Sequence, residues 1–335
     1  MTGNRSSSLV DSSEIISTGW QLYRRNWAQY VKISLWGYLW LLLPVVVFAI
    51  AIGALSVQVS ADTFSNNISG IIGLLILATV AFFVISAICF AQFLGWTAGI
   101  SRLVYQSLSE GVEDERAALR FTRSRKYSLL WQNLLRGFIF LGAYLAFGLI
   151  ILVLTAIGFG LFGVTGFGGS GTTGLALAWG AVEVLVGLAF LVFVVWVGLR
   201  LMLADQSLVL EQDSSAWASI SRSWAATKGN VLRSLQVVIF AFLISIPISL
   251  AFNITAQIIA TILIGLAPAS ESLSADAGLG VVPFVVAVLV LLLGSFGAVI
   301  FTLPLWHAML TTLYHRLQSE AVKVVGIGPV DSPLV

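Results

Sequence analysis

Charged residues are scarce in this sequence: Asp, Glu, Lys and Arg together make up 10% of its 335 residues, against about 25% in soluble domains. Apolar residues account for 59%, which excludes a water-soluble fold because such a fold needs a polar surface. A single cysteine excludes a disulfide scaffold and a cysteine-based zinc cluster. The composition therefore predicts an all-α, polytopic membrane protein.

Six stretches without Lys, Arg, Asp or Glu reach or approach the roughly 20 residues that a helix needs to cross a bilayer. A glycine-rich segment over 165–174 interrupts the third stretch, and so many glycines do not stay helical in lipid. We predict spans at about 32–57, 70–100, 134–163, 176–203, 234–266 and 281–315. They form one domain over 13–317, between a flexible tail at 1–12 and a short cytoplasmic tail at 318–335.

The bases lie on one side of the predicted spans. All 17 Lys and Arg lie at or before the start of the first span, between or at the facing ends of the second and third and of the fourth and fifth spans, or after the sixth. Cytoplasmic loops carry the excess of Lys and Arg, so both termini are predicted to be cytoplasmic. The opposite loops, near Asp62 and over 165–174 and 271–276, are short and neutral or acidic.

Three lead-in segments, each preceding an odd-numbered span, share a pattern. An aliphatic residue is followed after four positions by an aromatic residue and after four more by a base: Ile16, Trp20 and Arg24; Ala117, Phe121 and Arg125; Ile220, Trp224 and Lys228. The shared order predicts three copies of a two-helix unit, over about 13–111, 112–212 and 213–317.

The lead-in segments are amphipathic on a helical period. In the first, Ile16, Trp20 and Trp27 share one face, whereas Arg24 and Arg25 lie mainly on the other. Trp and Arg suit the membrane interface, so we predict helices lying in the membrane plane that contact anionic headgroups. The alternative is that they are extensions of the spans, packed on each other. The predicted headgroup contacts are Trp20, Arg24, Arg25, Arg123, Arg125, Lys126, Arg222, Trp224 and Lys228.

Two polar residues inside the predicted spans are candidates for a functional role. Glu183 is the one carboxylate there, and burying a charge in hydrocarbon is costly. It is either a proton or cation relay or, as we favour, a tolerated residue at the outer edge. His307 follows Pro304, whose kink frees backbone carbonyls that a ring N–H can satisfy, so we favour a structural role. We predict no catalytic residue, metal or cofactor.

Three acidic residues cluster after the fourth predicted span: Asp205, Glu211 and Asp213. Paired carboxylates hold metals or perform acid–base chemistry on a lipid headgroup in some proteins. Arg200 and Arg222 are close in sequence, so local ion pairing is the simpler interpretation.

The order of these features resembles a known membrane module. A lead-in segment ends in SWAATKGN over 223–230, an apolar helix with Pro247 follows, and a returning helix reads VGLRLMLAD over 197–205. This resembles the membrane domain attached to some glycerophosphoryl diester phosphodiesterases and related stand-alone bacterial proteins, over nearly the whole chain. In that family the enzymatic chemistry belongs to a separate soluble barrel. The resemblance therefore implies a bacterial inner-membrane module and carries over no activity.

We therefore predict a non-enzymatic scaffold, assembly or membrane-integrity component that contacts anionic lipids and other membrane proteins. The net charge is only +2 and the bases are spread along the membrane boundary, which does not favour nucleic acid as a partner. The alternative is a small-solute or lipid transporter. Internal repeats and prolines at 44, 247 and 304 favour it, whereas the scarcity of polar residues in the spans opposes it.

Single cysteines in a Cys89→Ser background test the predicted orientation. Cysteines at Ser65 and Thr172 are expected to react with an impermeant maleimide on intact cells, because their loops lie on the side without bases. Cysteines at Ser12 and Ser124 are expected to stay unlabelled. Labelling of Ser124 from outside would contradict the whole arrangement.

Overall fold

The structure is a computed structural model that describes residues 5–58, 68–109, 111, 114–163, 172–211, 215–265 and 281–325. These residues form helices and no strand. In chain order the helices are α1 (Arg5–Gln58), α2 (Ile68–Leu108), α3 (Glu115–Ser124), α4 (Lys126–Gly163), α5 (Thr172–Leu201), α6 (Ala204–Leu210), α7 (Ala216–Ala226), α8 (Val231–Gly265) and α9 (Val281–Val325).

Six of the helices, α1, α2, α4, α5, α8 and α9, are long and apolar enough to cross a membrane. Each predicted span overlaps one of them, which confirms the all-α, six-span membrane fold. Helix α1 begins at Arg5, inside the segment predicted as a tail, and α9 continues to Val325. The predicted outer loops lie mostly in the stretches 59–67, 164–171 and 266–280, which are outside the described residues. Helix α5 begins at Thr172, inside the glycine-rich segment.

The chain is tightly packed at one end of the helices and loosely packed along the rest. One core cluster, which includes Tyr30, Ile100, Leu203, Leu305 and Leu313, lies at the end where the short helices are found; we call this end the head. Along α4, by contrast, Phe138, Leu145 and Phe159 are 60%, 66% and 70% exposed. Such surfaces are expected to face lipid rather than water.

The lead-in segments form α3, α7 and the first part of α1. A backbone break ends each of them: at Asn26, whose φ and ψ are −118° and 18°, at Arg125, and over 227–230. These breaks lie close to the bases that the sequence pattern aligns.

Each lead-in segment contacts the return helix of the preceding unit, and the first contacts that of the last. The Arg102 guanidinium lies 3.8 Å from the Phe121 ring centroid, and the Arg200 guanidinium lies 5.1 Å from the Trp224 ring centroid. Arg316 forms an ion pair with Glu14. The three contacts link the lead-in segments to the return helices in cyclic order, and the threefold repeat itself stays a prediction.

The first lead-in segment packs against neighbouring helices, and how it lies relative to the membrane plane stays a prediction. Ser12 Oγ donates to Gln236 Oε1 on α8 at 2.7 Å, and Tyr23 Oη donates to the Phe301 carbonyl on α9 at 3.1 Å. Because Glu14 pairs further along α9 than Tyr23 does, this segment is antiparallel to α9. Its residues Ile15 and Tyr23 are buried in the core cluster of the head.

Gly19 permits this close packing. A Cβ added at Gly19 would lie 3.2 Å from Met309 Cα, so a larger residue would push the two helices apart. Ser12 is buried here, whereas Ser13 is exposed. A labelling cysteine in this segment therefore reports better from position 13. How α3 and α7 lie relative to the membrane plane stays a prediction.

Candidate functional site

Helix α6 lies in the centre of the head. Its side chains at Gln206, Ser207 and Leu208 are buried almost completely. Charge is confined to the two ends of the helix, at Asp205 and at Glu211 just beyond it. These two carboxylates organise the polar contacts around it.

Asp205 joins α6 to α4. Its Oδ1 lies 3.0 Å from Arg136 Nη2 and also accepts from Gln132 Nε2 at 3.0 Å. The Arg136 and Asp205 side chains are only 20% and 29% exposed, so little water competes for the pair. Ion pairing was the favoured interpretation of this carboxylate, but its partner is on another helix and not the nearby Arg200.

Glu211 connects three other parts of the head. Its Oε1 accepts from Tyr314 Oη on α9 at 2.6 Å, and its carboxylate pairs with Arg222 on α7, as the sequence suggested. Its main-chain carbonyl accepts from Arg125 Nη1 at 2.7 Å. Asp213, the third acid of the predicted cluster, lies outside the described residues.

The nine predicted headgroup residues divide by exposure. Six side chains are exposed: Arg24, Arg25, Arg123, Arg222, Trp224 and Lys228. Three are half-buried: Trp20, Arg125 and Lys126. The exposed group keeps its side chains at the surface of the head, and contact with headgroups stays a prediction.

Arg125 has a structural role that the sequence interpretation missed. Its Nη1 also donates to the Leu208 carbonyl at 3.0 Å, and its guanidinium lies 4.7 Å from the Phe121 ring centroid. It therefore binds the C-terminal end of α6 from the break between α3 and α4. A base directly at a helix break, where backbone carbonyls are unsatisfied, is the signal that suggests such a role.

Glu183 lies half-buried on α5, facing α4. Thr155 Oγ1 of α4 donates to Glu183 Oε1 at 3.2 Å. The carboxylate thus has a neutral partner within the hairpin of α4 and α5. This contact fits a tolerated polar residue, and the relay stays an alternative.

His307 links α9 to α2. Its Nδ1 lies 2.8 Å from Ser101 Oγ, so the partner is a neighbouring hydroxyl and not a carbonyl freed by Pro304. Ser101 is only 2% exposed and His307 is half-buried, so the pair joins the two helices within their packing. Among the residues the structure describes, no three His, Cys, Asp or Glu side chains are grouped as a metal would require.

Three cavities of about 570, 510 and 550 Å³ open between the helices. The second, between α8 and α9, is lined by residues such as Phe252, Ile259 and Leu293. The third, between α4 and α5, is lined only by apolar residues, including Phe147 and Phe190. Such linings suit hydrocarbon better than a hydrated solute.

The chain matches no protein-family model, no curated protein and no solved structure. The resemblance to the phosphodiesterase membrane domain therefore stays a prediction.

Replacement of Asp205 by Ala is expected to lower the free energy of unfolding by about 1.5–3 kcal/mol, because it removes charged hydrogen bonds from two partly buried partners. The matched control is Glu14→Ala, which removes a carboxylate that is 54% exposed in its ion pair with Arg316 and is expected to cost less than ~1 kcal/mol. Unfolding of both variants in one detergent gives the comparison. Equal losses would show that the Asp205 network does not hold the head together.

Proposed function

We propose that this integral membrane protein is a non-enzymatic scaffold or assembly component whose head gathers anionic lipid. One observation carries the proposal: four acids of the head are used in ion pairs, whereas several of its bases remain exposed. The paired acids are Glu14, Asp205, Glu211 and Glu320, each with an arginine. The exposed bases are Arg24, Arg25, Arg123 and Lys228.

Surplus positive charge at this position favours anionic headgroups. Each base near an anionic leaflet contributes about 1 kcal/mol, so four such bases together can retain a shell of lipid. Trp27 and Trp217 are also largely exposed on the lead-in segments, and indole rings favour the headgroup zone.

The head lies on the cytoplasmic side of the bacterial inner membrane, with both termini cytoplasmic. The positive-inside rule supports this orientation, and the ion pair of Glu14 with Arg316 keeps the N-terminal segment beside the end of α9. Other membrane proteins are the remaining partners that a scaffold implies, and the apolar faces of the spans offer surfaces for them.

Neutralising the exposed bases tests the lipid contact. The variant with Arg24, Arg25, Arg123 and Lys228 all replaced by Gln is expected to lose the enrichment of anionic phospholipid that we expect for the purified native chain, as measured by lipid mass spectrometry. Insertion is expected to persist, since Arg102, Arg116, Arg120 and Arg136 still mark the loop.

The control for this variant is Arg125→Gln. That change removes the hydrogen bonds to the Leu208 and Glu211 carbonyls and is expected to lower stability without changing the bound lipid. Undiminished anionic enrichment in the fourfold variant would mean that the exposed bases serve topology alone.

A lipid transporter is the second candidate function. Glu183 favours it, because an ionisable side chain inside a span often marks a transport or proton pathway and this one lies in the same hairpin as an apolar cavity of about 550 Å³.

Glu183→Gln separates the two functions. A scaffold is expected to keep its abundance and any cellular phenotype with this change, because the amide is close in size and still accepts a hydrogen bond from Thr155. The control Thr155→Val removes the same hydrogen bond but leaves the titrating carboxyl group. Loss of the phenotype in Glu183→Gln alone, with normal insertion, would favour the transporter.

A further inference from the structure

Helix α3 runs antiparallel along the last turns of α2. A Cβ added at Gly99 would lie 2.5 Å from Leu119 Cδ2, and one added at Gly95 would lie 3.2 Å from Arg123 Cα. The contact thus moves towards the end of α3 as it moves back along α2. Helix α2 is one of the six that are long and apolar enough to cross a membrane, so α3 follows the direction of a spanning helix.

The charges of α3 are separated between its two ends. Asp114 and Glu115 lie at its start, together with one base, Arg116. Arg120 and Arg123 lie in its second half, and both are exposed. No acid follows Arg116 up to the start of α4. The end of α3 that meets Gly95 is therefore basic, and the opposite end is acidic.

The exposed side chains beyond Arg123 follow the order in which a chain enters a bilayer. Tyr127 and Trp131, at the start of α4, are each more than half exposed, and so is Phe138 two turns later. Tyr and Trp are enriched at the membrane interface, between the bases outside it and the apolar residues within. Arg123 therefore lies at the headgroup end of this order.

A second helix places the interface at the same level. Trp36 of α1 is half exposed and stacks on Trp96 of α2, with their ring centroids 6.4 Å apart. The Arg123 guanidinium lies 4.9 Å from the Trp96 ring centroid. One and two turns further along α1, the exposed side chains are apolar again, at Leu39 and Leu43. Two helices far apart in sequence thus bring aromatic residues to the basic end of α3.

We propose that α3 stands along α2 instead of lying in the membrane plane, with its basic end on anionic phospholipid headgroups and its acidic end in the cytoplasm. Arg120 and Arg123 bind the lipid phosphate there, because guanidinium groups form strong charge-assisted hydrogen bonds to phosphate oxygens. Asp114 and Glu115 are kept away from the anionic surface, which would repel them. This inference rests on the lipid contact proposed above and gives it a place and a direction.

Depth-dependent quenching tests the direction of α3. Ala117→Cys and Ser124→Cys, both at exposed positions, are made singly in a Cys89→Ser background and labelled with bimane. The full chain is reconstituted in vesicles of phosphatidylethanolamine and phosphatidylglycerol, a fraction of which carry a nitroxide on the headgroup. The two positions lie about 10 Å apart along the helix, whereas each headgroup zone is only about 5–7 Å thick.

Strong quenching at position 124 and weak quenching at position 117 are expected. Equal quenching at the two positions would show a helix lying in the membrane plane and would overturn the proposal. Stronger quenching at 117, or none at either position, would overturn it as well.

Moving one base along α3 tests the ligand. The variant with Arg123→Gln and Ala117→Arg keeps the net charge but takes a base away from the headgroups. Labelling of 120–131 by subsaturating phosphatidylglycerol with a diazirine in its headgroup is expected to fall about fivefold, the equivalent of the ~1 kcal/mol that one base contributes. Arg123→Lys is the matched control, because it keeps a base in place and is expected to retain the label. If the double variant fails to insert, Arg123→Gln alone takes its place.

Labelling that stays unchanged when the base is moved or removed would overturn the assignment of the ligand to this end of α3. The outcome is separate from that of the proposed function. Normal anionic enrichment with equal quenching at the two positions removes only the upright α3 and its site, whereas absence of enrichment in the native chain removes the proposed function itself.

Discussion

Helices in a bilayer gain little from the hydrophobic effect when they pack together, because lipid tails are as apolar as their side chains. The fold of this protein depends on that constraint. Its apolar spans remain largely exposed, and the strong contacts lie in the head, where ion pairs such as Asp205 with Arg136 and Glu320 with Arg233 join different helices.

Within the spans, close packing depends on glycine. A Cβ added at Gly294 would lie 2.3 Å from Ala256 Cβ, which shows how closely α8 and α9 approach. In the hairpin of α4 and α5, by contrast, a Cβ added at Gly142, Gly148 or Gly187 would meet no atom within 4 Å. These faces of the hairpin are therefore open to lipid or to another membrane protein, whereas a Cβ added at Gly158 would lie 2.7 Å from Trp179 Nε1.

A packed head and loosely packed spans give the proposed function a physical basis. The head is held by paired charges and buried side chains, so its exposed bases keep fixed positions at the protein surface. The clefts between the spans have mainly apolar linings. The proposed lipid contact rests on this division of the molecule between a polar end and an apolar end.

The number and place of the spans could be predicted from the sequence, because crossing a bilayer requires only length and apolarity. The bases and aromatic residues of the lead-in segments were also visible there. The contacts of the polar side chains could not be predicted. Arg125 of the second lead-in segment binds carbonyls of α6 and its cap, Asp205 pairs with a residue on α4, and His307 contacts Ser101. The first lead-in segment packs between α8 and α9. Spacing along the chain decides which residues share a helix face, whereas the crossing and rotation of the helices decide which faces meet, and those are set by contacts between residues far apart in sequence.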